Sequence, residues 1–194
     1  MARYTGPKWK ISRRENADVF GNEKWRKRPV PPGVHPIGRG RPSEYAIQFR
    51  EKQKVKRMYG LLEKQFRLTY FRASKATGNT GTRLLQLLEL RLDNVVYRLG
   101  LAKSRNQARQ FVTHGHVAVN GEKTDIPSYT VSVGDEISYS SRFNKREISK
   151  LIKAENKKAE VPAWLGDGKI KSVPTRDMLD QSIKERLIIE LYSR

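Results

Sequence analysis

The sequence predicts an α+β fold: a mainly helical domain, an inserted module of two helices and a small twisted antiparallel sheet, and an extended basic N-terminal arm. Three observations predict it. Apolar residues recur at three- and four-residue steps over two long stretches, the period of a helix. A later stretch changes to short alternating runs broken by Asn-Gly and Gly-Asp pairs, which turn strands. Residues 1–42 are crowded with glycine and proline, which oppose long helices.

The arm over 1–42 carries Pro29, Pro31, Pro32 and Pro36 among five glycines (Gly6, Gly21, Gly33, Gly38, Gly40). It also holds Trp9, Trp25 and the cations Arg3, Lys8, Lys10, Arg13, Arg14, Arg39 and Arg41. Purely solvating tails are poor in aromatics. An arm that orders on a polyanion, with Lys and Arg on phosphates and aromatics stacking, fits the composition better.

The helical domain is read over 43–91 and is completed by 161–194. Ser43 is placed to cap a helix, and Glu44 follows in the first turn, where an acid suits the helix dipole. From Ile47 through Val55, Met58, Leu62, Phe66 and Tyr70 to Ala73 the apolar residues keep helical steps, with Gly60 as a break point. The opposite face holds Arg50, Lys52, Lys54, Lys56 and Arg57, followed by Lys64 and Arg67. A face so nearly of one sign repels itself without an anionic partner. A second helix is expected from about Thr82 to Leu99, ended by Gly100.

The module over 92–160 follows. Ser104 and Gln107 have capping-box spacing, and the helix they open is expected to end at Gly115. Arg105 and Arg109, four apart, share its outer face, with Lys103 and Ser104 at its positive end. Val117–Val119 is a strand and Asn120-Gly121 a two-residue hairpin turn, with Lys123 beside it. His114 and His116 flank Gly115 at a turn and are candidates for the edge of a binding groove. Residues 141–160 read as a polar surface helix or linker and 166–176 as a loop. The last segment, with Ile183, Leu187 and Ile188, is apolar enough to pack back on the first helices.

Composition narrows the function. Forty Lys and Arg against 20 Asp and Glu give a formal charge of +20, which calls for a polyanion. No apolar run approaches the roughly 20 residues of a spanning helix, and charges interrupt the N-terminus where a secretion signal would be apolar. No membrane is therefore expected, and the chain is expected to stay in the compartment where it is made. With no cysteine and three scattered histidines, no metal, cofactor or small-molecule substrate is expected. No nucleophile–base pair is assembled, so no catalytic residue is assigned. Paired RNA is held through phosphate, sugar hydroxyl and shape, which suits Arg forks on a fixed helix face.

Several strings extend this reading. Met1-Ala-Arg-Tyr-Thr-Gly-Pro-Lys, Arg50-Glu-Lys-Gln-Lys-Val-Lys-Arg-Met-Tyr-Gly60, Arg91-Leu-Asp-Asn-Val-Val-Tyr-Arg-Leu-Gly100, Val119-Asn-Gly121, Ile126-Pro-Ser-Tyr129 and Leu191-Tyr-Ser-Arg194 run collinearly along the chain. In them the chain resembles the bacterial-type small-subunit ribosomal protein four family, and 91–139 resembles its S4 RNA-binding domain. The resemblance implies direct binding to small-subunit ribosomal RNA at a helix junction of the 5′ domain, early subunit assembly and a place in cytoplasmic ribosomes. It also implies contact with small-subunit protein five at an interface linked to decoding accuracy. With proteins three and five, family members line the messenger entry channel. Arg39, Arg41 and Arg50 match that channel face, and Arg50–Arg57 match an RNA-binding helix. Some members repress their own messenger. Residues 21–40 depart from the pattern, because some relatives place a cysteine zinc knuckle there, and 166–175 match weakly. The rival is an RNA-modifying enzyme: Arg91-Leu-Asp resembles the catalytic string of pseudouridine synthases. On helical spacing Arg91 and Asp93 read instead as a helix-surface pair.

Overall fold

A computed structural model describes residues 4–21, 23–28, 30–34, 41–155 and 161–193. The chain divides into two compact units. The first draws on residues 1–81 and 181–194, the second on 82–180.

The first unit contains α1 (Lys8–Glu15), α2 (Glu44–Met58), α3 (Glu63–Lys75) and α9 (Glu185–Tyr192). Ser43 caps α2, its Oγ accepting from the Ala46 N–H at 3.3 Å. The break expected at Gly60 is present. There φ is +64°, a conformation glycine adopts without a Cβ clash. The Gly60 and Leu61 amides bond back to Arg57 and Lys56, closing α2 before α3 begins. Helix α9 packs on α2, as its apolar spacing requires. Tyr192 stacks on Tyr70 at 4.5 Å, and its hydroxyl bonds Glu63 at 3.1 Å.

The N-terminal segment departs from the expectation of an extended arm. Its described residues form α1, followed by a 3-10 turn over Glu23–Lys27. Ile11, Val19 and Trp25 are buried. Arg13 Nε and Arg14 Nη2 each donate at 2.7 Å, to the Val30 and Pro32 carbonyls. Those two guanidiniums satisfy carbonyls that a proline-rich loop leaves without backbone donors.

The second unit holds α4 (Thr80–Glu89, from Thr82), α5 (Leu92–Arg98), α6 (Arg105–Thr113), β1 (Val117–Val119), β2 (Glu122–Lys123), β3 (Ile137–Tyr139), α7 (Ser141–Asn144) and α8 (Glu147–Glu155). The sheet order is β2-β1-β3, antiparallel throughout, with Val119 opposite both Glu122 and Ile137. Asn120 and Gly121 both have positive φ (52° and 83°), the two-residue hairpin that their identity predicts.

Two expectations change here. The helix read over 82–99 is two helices. Arg91 is extended (φ −69°, ψ 136°), and Leu92 and Asp93 donate to the Tyr129 and Pro127 carbonyls. A remote turn over residues 127–129 takes the bonds a continuous helix would have made. Residues 82–91 and 161–180, read as part of the helical domain, belong to the second unit. Trp164, Leu165 and Ile170 join Val95, Val96, Val112, Val117 and Ile137 in one core. Burying a Leu or Ile side chain contributes about 1.5–3 kcal/mol, too much for a linker to leave unused. The Ile137 amide also bonds Gly168 O at 2.6 Å, which covers the free edge of β3.

Candidate nucleic-acid interface

At the start of α6, Ser104 Oγ accepts from the Gln107 N–H at 3.3 Å. Gln107 Oε1 accepts from the Lys103 N–H at 2.7 Å, one residue outside the standard capping box. Lys103 is exposed and paired with Glu155, also exposed. Such a pair contributes little and yields readily to a stronger anion.

Beneath this helix end lies a network that the sequence did not disclose. Arg91 donates twice to Asp93, Nε to Oδ1 at 3.0 Å and Nη2 to Oδ2 at 2.7 Å, and both residues are buried. The reading of this pair as a helix-surface contact is therefore corrected. The extended backbone at Arg91 turns both side chains inward. Arg109 Nη1 reaches the same Asp93 at 3.3 Å. Glu89, 1% exposed, takes Arg98 through both oxygens (3.0 and 2.7 Å) and Asn94 Nδ2 at 2.7 Å. Asn94 Oδ1 in turn accepts from Arg105 Nε at 2.9 Å, and the Arg105 guanidinium lies 4.7 Å over the Tyr97 ring. Arg105 and Arg109 are thus half-buried and tethered to α5, where spacing alone predicted a free outer face. Two buried carboxylates and an amide fix the planes of Arg98, Arg105 and Arg109, which matters for a two-pronged phosphate contact.

The other end of α6 builds a second cationic feature. The helix closes with Gly115 N–H to Val112 O at 2.8 Å and His116 N–H to Phe111 O at 2.9 Å. Gly115 has φ +65°, and a Cβ there would lie 2.0 Å from Lys123 Cε. The positive φ favours glycine at this turn, and the end of the Lys123 side chain passes over its Cα. His116 stacks on Phe143 at 4.3 Å. Burial, then the charges of Arg146, His114 and Lys123, push the His116 imidazole below its usual value. Arg142 and Arg146, absent from the candidate residues, join this end. The basic-aromatic run Ser141-Arg-Phe-Asn-Lys-Arg146 was the signal available for them.

In the first unit the predicted cations separate. Lys8, Lys10, Arg14 and Arg41 are exposed, and Arg13 is half-buried. Arg3 and Arg39 lie outside the described residues. Arg50 and Arg57 both pair with Glu15 of α1. Burial raises the Glu15 carboxyl, with Arg57, Arg50 and Arg14 opposing. Lys52 and Lys54 do not belong to an exposed face. They are 7% and 8% exposed and bond Glu63 Oε1 and the Ser182 carbonyl, each at 2.6 Å. Lys54 also pairs with Glu51 at 2.7 Å. Lys56 is half-buried on the second oxygen of Glu63 at 2.8 Å. Apart from Glu51 on α2 itself, their partners come from α3 and the segment before α9, which helical periodicity does not reveal.

Glu63 gives a pH prediction. Burial alone would raise its carboxyl, but the hydrogen bonds and charges of Lys52 and Lys56 prevail and hold it at about 2. A depressed acid stabilises the fold above its unfolded value and loses that contribution as pH falls through its folded value. Thermal melting should therefore decline between pH about 4.5 and 2. Glu63→Gln should flatten that acid limb, by under about 1 kcal/mol because the carboxylate is half exposed. An unchanged limb in the variant would count against the pair.

Among the described residues no group of His, Cys, Asp and Glu is arranged to hold a metal ion. Residues 3–89 match the family described as Ribosomal protein S4/S9 N-terminal domain, and residues 90–137 match the S4 domain. The chain is 50% identical to small ribosomal subunit protein uS4 of Cutibacterium acnes, over the whole of both chains. It is 50% identical to that of Opitutus terrae and 47% to that of Halothermothrix orenii, again over both full lengths. A match of this extent and identity shows that the chain belongs to the uS4 family of small ribosomal subunit proteins.

Proposed function

We propose that this chain is a structural, non-catalytic component of the small ribosomal subunit in the cytoplasm and that it binds small-subunit ribosomal RNA directly. The carrying observation is the arginine set at the α5–α6 edge, oriented by buried Glu89, Asp93 and Asn94 within the segment matched to the S4 domain. A pre-set guanidinium loses little entropy on meeting phosphate. In the finer reading the RNA site is a helix junction of the 5′ domain, occupied early in assembly. The exposed Arg41 and Arg50, with Arg39, then face messenger at the entry channel, next to small-subunit proteins five and three and the interface that affects decoding accuracy. The resemblance of the Arg39–Arg57 region to that channel supports this part.

Nothing in the site favours RNA modification. Asp93 is engaged by two guanidiniums and buried, which suits a strut better than a nucleophile.

The test is filter binding to a bacterial small-subunit ribosomal RNA 5′-domain transcript and to an unrelated transcript of equal length. The wild-type chain should prefer the first. Lys103→Gln with Arg105→Gln should cost about tenfold or more, the worth of a charge-assisted contact. Equal affinity for both transcripts would overturn the proposal.

A further inference from the structure

The groove at the C-terminal end of α6 is not needed for the arginine set on α5 and α6. It encloses about 410 Å3 between the turn at Gly115, β2 and α7, within the roughly 300–1,000 Å3 typical of small-ligand sites. Its lining includes His114, His116, Lys123, Arg142, Phe143 and Arg146. Lys123, Arg142 and Arg146 form no ion pair with any described residue. Other exposed cations, such as Lys64, Arg72 and Lys75, also form no ion pair with a described residue; what distinguishes Lys123, Arg142 and Arg146 is that all three line one groove. The floor is fixed: Phe143 is buried, stacked under His116 and edge-on to Tyr139 at 5.1 Å. The Tyr139 hydroxyl is anchored to the Leu101 carbonyl at 2.5 Å. Gly115 adopts a positive φ that glycine accepts without strain, and the end of the Lys123 side chain lies over its Cα. Three cations without ion pairs around a fixed concave floor make the groove favourable for an anion.

We propose that this groove seats a phosphate of the ribosomal RNA backbone, as a contact separate from the arginines of α5 and α6. The inference rests on the reading of the chain as a ribosomal RNA-binding protein. Arginine forks pair bidentately with phosphate, and a phosphate has more oxygens than a single carboxylate to share between two of them. The groove also carries its own reporter. The charged groups facing His116 are His114 from the end of α6, Lys123 from β2 and Arg142 and Arg146 from α7 and the turn after it. Tyr139 of β3, pushed up to about 12 by burial, stays neutral. All the charges disfavour the imidazolium while the groove is empty, and a phosphate among them reverses the sign of the local field. Filling the groove therefore takes up a proton. Affinity is greatest below the free imidazole's value and falls as pH rises through the higher value of the bound form.

The experiment uses the full chain and the 5′-domain transcript. Calorimetry in two buffers of different ionisation heat counts the protons bound. Wild type should take up protons as the groove fills at pH values above the free imidazole's lowered value, and His116→Gln should reduce that uptake. Arg142→Gln with Arg146→Gln should weaken binding about tenfold or more and reduce the uptake. A melting curve confirms that each variant is folded. Specific RNA binding with unchanged uptake in His116→Gln and unchanged affinity in the double variant would overturn the groove while leaving the ribosomal RNA reading intact. Failure of the wild type to prefer the transcript would remove both. Two probes separate other occupants by the His116 Hε1 resonance. A shift with inorganic phosphate but not with the transcript, or with polyglutamate but not with the transcript, would each overturn the RNA assignment.

Discussion

Raising monovalent salt from 50 to 200 mM is expected to weaken the complex with small-subunit ribosomal RNA by about 10³- to 10⁵-fold, the loss for 6–10 phosphate contacts. Enough cations are placed to make that number. Lys8, Lys10, Arg41 and Arg50 are exposed in one unit; Lys103, Lys123, Arg142 and Arg146 are exposed in the other. Each neutralised phosphate releases condensed counterion, so the slope of log affinity against log salt counts contacts. The structure adds an internal control. Lys103→Gln or Lys123→Gln should each reduce the slope by about one. Lys52→Gln should leave it unchanged, because that ammonium is buried against Glu63, and should lower stability instead. Filter binding across a salt series measures all of these. A flat wild-type profile would show that the interface is not electrostatic.

Replacing Asp93 by alanine is expected to destabilise the second unit by about 3–5 kcal/mol, the cost of leaving a buried guanidinium without its carboxylate. Arg91 would be the stranded charge, and Arg109 would lose its tether. Urea unfolding monitored by circular dichroism measures the loss. A change under about 1 kcal/mol would mean that water or a rearranged partner already satisfies Arg91. The same geometry alters which binding variants are informative. Arg109→Glu would set a second carboxylate beside Asp93 and unsettle the fold, so reversing both Arg105 and Arg109 would confuse stability with affinity. Neutral replacements at Lys103 and Arg105 avoid this.

What the sequence disclosed was mostly local. Asn120-Gly121, the Ser104 cap, the break at Gly60 and the stop at Gly115 depend on residues within a few positions of each other, and each stands in the structure. What it hid depends on distant partners. Leu92, Val95 and Val96 continue the apolar rhythm of Leu84, Leu85 and Leu88, so nothing local betrays the interruption at Arg91. The carbonyls of Tyr129 and Pro127 impose it. Lys52 and Lys54 sit in a basic stretch, and their burial follows from Glu63 and the Ser182 carbonyl, with Glu51 a local partner of Lys54. The N-terminal prolines argued against helix, yet Pro7 immediately precedes α1, where a missing N–H costs nothing. For the candidate site, the residue types at both ends of α6 were readable. Their division into a tethered arginine set and a groove was not, because Asp93, Asn94 and Arg146 act across the fold.

The unit that carries α1, α2 and α3 takes its last helix from the end of the sequence, after the residues of the second unit, since α9 and its Tyr192 close on α2 and Tyr70. During vectorial synthesis the order of completion is therefore inverted. The contacts of the second unit can all form from residues already made, while the earlier-made helices still wait for residues 181–193. A truncation after residue 180 should therefore deprive the first unit, not the second, of its closing helix.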